Sequence, residues 1–227
     1  MSSAVVGRHE QKKIRREVFI EPLRLAGDLW LPADASSLVV FAHGSGSSRL
    51  SPRNRAVAEA LNEQDIATLL FDLLTPDEEL DRTNVFDIPL LAERLIDVVS
   101  WIDSQPKLAG LSLGLFGAST GAAAALVAAA KLGARVGAVV SRGGRPDLAD
   151  TGLDEVTAPT LLIVGGWDAG VIELNEQAYA RLRCTKSLEI VPGATHLFPE
   201  PGAMEAVIAL AARWFKTYLV SPPDHGR

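Results

Sequence analysis

The chain has 227 residues, 48% of them hydrophobic and 22% charged, with a formal net charge of −6. That length suits one domain with a substantial core, and the acidic balance excludes wholesale nucleic-acid binding. No apolar run approaches the ~20 residues that a bilayer span needs. The first twenty residues carry His9, Lys12, Lys13, Arg15 and Arg16 without an apolar stretch, and Cys184 is the single cysteine. These features predict no secretory leader, no internal disulfide and a reducing, cytoplasmic setting. One domain over 1–227 is expected, with 1–14 and 221–227 as flexible tails.

Two strand-like runs come first, Glu17–Glu21 and Leu23–Leu31, forming an antiparallel edge. Leu38–Ala42 is continuously apolar, as befits a strand buried on both faces. A helix over Asn54–Gln64 and a buried strand over Ala67–Leu73 follow. Leu73–Asp81 reads as a loop. Asp87 caps a helix reaching Ser104, whose apolar residues recur at helical spacing. Beyond it the pattern predicts strand Leu111–Phe116, helix Thr120–Leu132, strand Gly137–Val140, strand Thr160–Val164 and helix Val171–Leu182. Strand Ser187–Val191 and a closing helix Gly202–Tyr218 complete the order. Alternating strands and helices predict an α/β fold, with a mainly parallel sheet covered on both faces. Arg142–Ala158 is too short for a helical cap domain.

Gly117-Ala118-Ser119-Thr120-Gly121 directly follows a buried strand and opens a helix. A serine on so sharp a strand-to-helix turn is strained, and side chains two residues either side would strike neighbouring backbone. Glycines at 117 and 121 remove that collision and let Ser119 present its hydroxyl above the sheet.

A serine hydroxyl needs a base, and the base needs an orienting group. Of four histidines, His9 and His225 lie in the terminal segments. His196 follows the last strand in Gly193-Ala194-Thr195-His196 and is the expected base. The acid should end a strand between serine and histidine. Asp168 does so after Leu161–Gly166, although an aspartate there could equally cap the next helix. Asp147, Asp150 and Asp154 compete without directly following a buried strand. A tetrahedral intermediate also needs two backbone donors. The amide of Thr120 supplies one, and the loop Ala42-His43-Gly44-Ser45-Gly46 supplies the other, through Ser45. His43 is read as a buttress of that loop. Neither paired histidines nor Cys-x-x-Cys occur, and Gly143-Gly144 and Gly165-Gly166 lack dinucleotide spacing, so no metal and no cofactor are expected.

With these residues in view, the chain resembles the α/β-hydrolase superfamily, and within it the small dienelactone-hydrolase-like branch. The resemblance rests on His43-Gly44-Ser45-Gly46, Gly117–Gly121, Asp168 and His196. It implies a Ser119–His196–Asp168 triad and cofactor-free hydrolysis of esters. Dienelactone hydrolase itself carries a cysteine nucleophile where this chain has Ser119. The expected partner is a small-molecule ester or thioester, with neither nucleic acid nor membrane. Gly44, Arg142 and Trp167 are expected to line the substrate pocket. Arg49, Arg53, Arg142 and Arg145 lie in rim loops, so an anionic group on the substrate is expected, met partly by Arg142. Acyl transfer or perhydrolysis on the same triad, and a non-catalytic ligand-binding role, remain alternatives; the sequence leaves oligomeric state open.

Overall fold

The computed structural model describes residues 14–219, and the two expected tails lie almost wholly outside them, as do His9 and His225. The strands are β1 (Ile14–Ile20), β2 (Leu25–Leu31), β3 (Ser37–Ala42), β4 (Ala67–Phe71), β5 (Ser112–Ala118), β6 (Val136–Arg142), β7 (Thr160–Gly165) and β8 (Lys186–Val191). The α-helices are α1 (Pro52–Asn62), α2 (Pro76–Glu79), α3 (Ile88–Ser104), α4 (Thr120–Leu132), α5 (Ala169–Arg181) and α6 (Ala203–Leu219). The sheet runs β1-β2-β4-β3-β5-β6-β7-β8. β2 pairs antiparallel with both β1 and β4, and all other pairings are parallel.

Alternation along the strands explains why they read as unbroken apolar runs. Leu38 and Val40 of β3 face a core built with α3, α4 and α5, whereas Val39 and Phe41 face a second core with α1 and α6. The same split places Val139 on one side of β6 and Val140 on the other. Both faces are thus dry, and the chemistry is displaced to the carboxyl ends of the strands. The connection from β3 runs to β4 on one side and that from β5 to β6 on the other, so the two diverge and open a crevice between β3 and β5.

Local chemistry moves several boundaries from their expected places. α1 starts two residues early because Ser51 accepts from the Asn54 amide and Pro52 occupies the first turn, where a missing N–H costs nothing. Thr75 and Glu78 form a reciprocal capping box, which converts part of the expected Leu73–Asp81 loop into α2. Asp87 caps α3 through the Leu90 amide, as its position suggested. β6 continues through Ser141 to Arg142, because Arg142 pairs with both Ala118 and Ile163. The stretch Pro146–Glu155 is short 3-10 turn rather than open loop, and no cap domain stands over the sheet.

α4 packs closely against the end of β3. A Cβ on Gly121 would lie 2.4 Å from the carbonyl oxygens of both Ala42 and His43. Neither carbonyl can retreat without moving the end of β3, so Gly121→Ala is expected to cost about 1–3 kcal/mol. Gly110→Ala, where a Cβ meets open space, should stay within about 0.5 kcal/mol of the parent chain. Urea midpoints of the two variants test the contrast.

Candidate active site

Ser119 sits between β5 and α4 with φ +52° and ψ −121°, a left-handed backbone that a non-glycine residue adopts only under constraint. The constraint comes from its neighbours across the sheet end. The Ser119 amide donates to the Arg142 carbonyl (3.2 Å), and the Arg145 amide donates to the Ser119 carbonyl (3.2 Å). A Cβ on Gly44 would lie 3.0 Å from that of Ser119, which places the predicted loop residue directly against the serine.

Asp168 ends the turn after β7. Its side chain makes no capping bond to α5; it reaches His196 Nδ1 at 2.6 Å instead. The cap alternative is thereby set aside, because the carboxylate is committed to the imidazole. The Asp168 amide closes the turn on the Gly165 carbonyl (3.0 Å), and two bonds fix the turn against the end of β8 and the histidine loop: the Gly166 amide donates to the Val191 carbonyl (2.8 Å) and the Trp167 amide to the Ala194 carbonyl (2.9 Å). Thr195 is clasped by Glu200, with its amide at 3.1 Å and its hydroxyl at 2.6 Å from the carboxylate. The Thr195 hydroxyl bond leads the causes that hold the Glu200 carboxyl below its ordinary range. Gly143 links the two halves: it follows Arg142, and a Cβ on it would lie 3.6 Å from His196 Cε1. Ser119 Oγ makes no hydrogen bond among the described residues. Catalytic hydrogen bonds in free enzymes are often long and tighten only with substrate bound.

The two expected backbone donors lie beside the serine, in unequal states. Thr120 opens α4, so its amide has no intrahelical acceptor. The Ser45 amide donates to Thr120 Oγ1 at 2.9 Å and is therefore already occupied. Both residues line a cavity of about 620 Å³ enclosed by the β3–α1 loop, Leu73, Leu74, Glu79, Arg82 and Leu91. Gly44, Arg142 and Trp167, expected at the pocket wall, do not line that cavity, and neither do Ser119, Asp168 and His196. Trp167 is 71% exposed on the outer face of its turn. Arg142 is only 6% exposed, with its guanidinium 6.0 Å from the Phe198 ring centre. The strand extension explains this: as the last paired residue of β6, Arg142 alternates toward α1 rather than out of the sheet end. Among the described residues no group of three His, Cys, Asp or Glu is placed to hold a metal ion, and no helix is long and apolar enough to cross a membrane.

Several supporting residues were not foreseen. Asn175 is fully buried and donates to the Gly144 carbonyl (3.0 Å), fixing the Gly143-Gly144 turn against α5. An asparagine inside a helix, where its side chain competes with backbone, was the available signal. Asp72, out of order as a triad acid, accepts from the Arg49 amide (2.8 Å) and pairs with its guanidinium.

Comparisons with known proteins bear on the family and the fold. The sequence model of the Dienelactone hydrolase family matches residues 53–219. The chain belongs to the dienelactone hydrolase family. A crystal structure of a dienelactone hydrolase from Anabaena variabilis is 53% identical, with a TM-score of 0.88, covering 93% of this chain and 100% of that one. Est1E from Butyrivibrio proteoclasticus shares the fold at 18% identity and a TM-score of 0.75, over 89% of this chain and 98% of its own. A Mycobacterium tuberculosis protein named "Putative phosphoribosyl transferase" is 59% identical over 210 residues, 92% of this chain but 47% of its own length. The chain thus spans about half the length of the curated relatives it matches.

His43 ties the oxyanion-side loop to the end of β4. Its Nδ1 lies 3.0 Å from the Gly44 carbonyl and its Nε2 accepts from the Leu73 amide at 3.1 Å, a pattern that assigns a neutral, Nδ1-protonated ring. Burial pushes its pKa below the ordinary 6.5, against weaker opposing pulls from the Gly44 carbonyl, Asp72 and Glu79. The unfolded chain therefore takes up this proton first. Stability from the neutral ring is complete above about pH 6.5 and declines as pH falls toward the lowered value. Urea midpoints between pH 8 and pH 5 should fall more steeply for the parent chain than for His43→Gln.

Proposed function

We propose that the chain is a serine hydrolase acting on a small, accessible ester or thioester through an acyl-enzyme. The observation that carries this reading is the 2.6 Å contact between Asp168 and His196 Nδ1 at the rim that carries the strained Ser119. A carboxylate on Nδ1 fixes the tautomer that leaves Nε2 as the base. Ser119 Oγ attacks the acyl carbon while His196 Nε2 takes its proton, and Asp168 stabilises the imidazolium so formed. The carbonyl oxygen becomes an oxyanion beside the Thr120 amide, and rotation of the Thr120 hydroxyl releases the Ser45 amide as second donor. Each such donor contributes on the order of 3–4 kcal/mol. The tetrahedral adduct then expels alcohol or thiol, which receives the His196 proton. Water, deprotonated by the same ring, adds to the acyl carbon and frees Ser119.

Membership of a hydrolase family supports hydrolysis, and the absence of a cap domain favours substrates that need no enclosed tunnel. Phosphoribosyl transfer is the named activity of a relative twice as long, and the nucleophile, imidazole and carboxylate of this segment do not call for it. Acyl transfer on the same residues would differ only in the acceptor, and competition between an added alcohol and water distinguishes it.

A fluorophosphonate probe should label the chain at Ser119 and leave Ser119→Ala unlabelled. Turnover of p-nitrophenyl acetate should fall at least ~10³-fold in Ser119→Ala and about 10³–10⁴-fold in Asp168→Asn. Undiminished turnover in Ser119→Ala would remove the assignment.

A further inference from the structure

Four arginines stand at the rim, and their partners divide them sharply. Arg49 is held by Asp72 and Glu17, and Arg145 by both oxygens of Asp147. Among the described residues, Arg53 and Arg142 have no carboxylate within salt-bridge distance. Arg142 is more than nine-tenths buried, yet its Nε and Nη1 have no hydrogen-bond partner, and its Nη2 has only Asn54 Oδ1 at 3.5 Å. Asn54 lies in the first turn of α1, so the buried guanidinium reaches that turn. Arg53, one residue earlier, lines the cavity, and its Nε is also buried and unpartnered.

The α1 terminus adds to this charge. Pro52 has no N–H, and Ser51 Oγ accepts from the Asn54 amide, which leaves the Arg53 amide as the donor of the first turn without an acceptor. Burial, then the neighbouring Arg53, pulls the Arg142 pKa down to about 10, so it still carries its proton at neutral pH. Two guanidinium charges and a helix N-terminus thus converge with nothing negative to answer them. A buried unpaired charge is costly, and proteins retain one where something else supplies the counter-charge.

We propose that the α1 end of the cavity is an oxoanion subsite for a phosphoryl group on the substrate, with Arg53 as the contacting cation and Arg142 as the buried second charge. The proposal rests on the hydrolase reading and deepens it. The cavity runs from Ser45 and Thr120, beside Ser119, to Ser51 and Arg53 at the helix. A molecule lying along it puts one end against Ser45 and Thr120, the two expected backbone donors, and its anionic end at Arg53. A tetrahedral dianion matches two cations and donors arriving from separate directions; a planar carboxylate monoanion would need only one bidentate arginine. Glu79 and Arg82 also line the cavity, one charge of each sign, so the lining carries a net positive charge once Arg53 is added.

Titration calorimetry of the full chain with inorganic phosphate, and separately with acetate, tests this. Saturable 1:1 phosphate binding, tighter than acetate and weakening as salt rises, is expected. Arg53→Gln and Arg142→Gln should each weaken it at least about tenfold, and Arg213→Gln on the exposed face of α6 should match the parent. Arg53 is only half-buried, so its variant stays informative even where Arg142→Gln fails to fold. Absent phosphate binding, unchanged affinity in Arg53→Gln, or binding only of acetate would each overturn the subsite. Fluorophosphonate labelling and p-nitrophenyl acetate turnover report on the hydrolase reading separately, since neither probe carries a free anionic phosphate.

Discussion

A pair of backbone hydrogen bonds between the turn at Ser119 and the end of β6 governs the geometry of the whole site. The serine gives its amide to the Arg142 carbonyl and takes the Arg145 amide on its own carbonyl. Its positive φ is therefore held from both sides, and the stored strain is met by a strand that runs two residues beyond its apolar stretch. The same segment continues into Gly143, whose bare backbone lets His196 come close. One short peptide thus sets the conformation of Ser119 and the distance of His196 together. Asn175 secures the segment from beneath, so α5 supplies both the carboxylate at its entrance and the brace about two turns inside it.

Much of this was legible in the residues. The G-x-S-x-G turn, the loop after β3, and a strand-ending aspartate followed by a loop histidine are local signals with steric or chemical causes. The apolar strands were found because both sheet faces are covered. What escaped depended on pairing between distant segments. Ser141 and Arg142 look like loop residues, since nothing local reveals that Ala118 and Ile163 will pair with Arg142. The expected direction of the Arg142 side chain failed for the same reason, because one more residue of strand reverses the face. Trp167 was judged by its neighbour in sequence, and the turn directs it outward. α2 was missed although Thr75 and Glu78 spell its capping box, because a four-residue helix leaves no periodicity to read.

The charge around the site is distributed unevenly. On the β2–β4 side Arg49 meets Asp72, Glu17 and Asp28, and Arg55 meets Asp28, a closed set of opposite charges. Such pairs at partly exposed positions hold loops in register more than they stabilise the fold. A few residues away, Arg53 and Arg142 lack any such answer. Family membership and a 53% identical dienelactone hydrolase structure fix the scaffold, whereas this difference between neighbouring arginines belongs to the side chains themselves. A serine at the elbow has the same bearing, since it needs its base far more than a thiol does.

Under the proposed acyl-enzyme mechanism, the bond from the Ser45 amide to the Thr120 hydroxyl carries a consequence for how binding energy is used. An uncharged carbonyl arriving there competes with an internal acceptor of similar strength, so the exchange returns almost nothing on docking. Once negative charge accumulates on that oxygen, the same exchange becomes strongly favourable, because an anion outbids a hydroxyl for an N–H. The threonine thus acts as a placeholder that discounts the ground state and leaves the reward for the moment of bond formation.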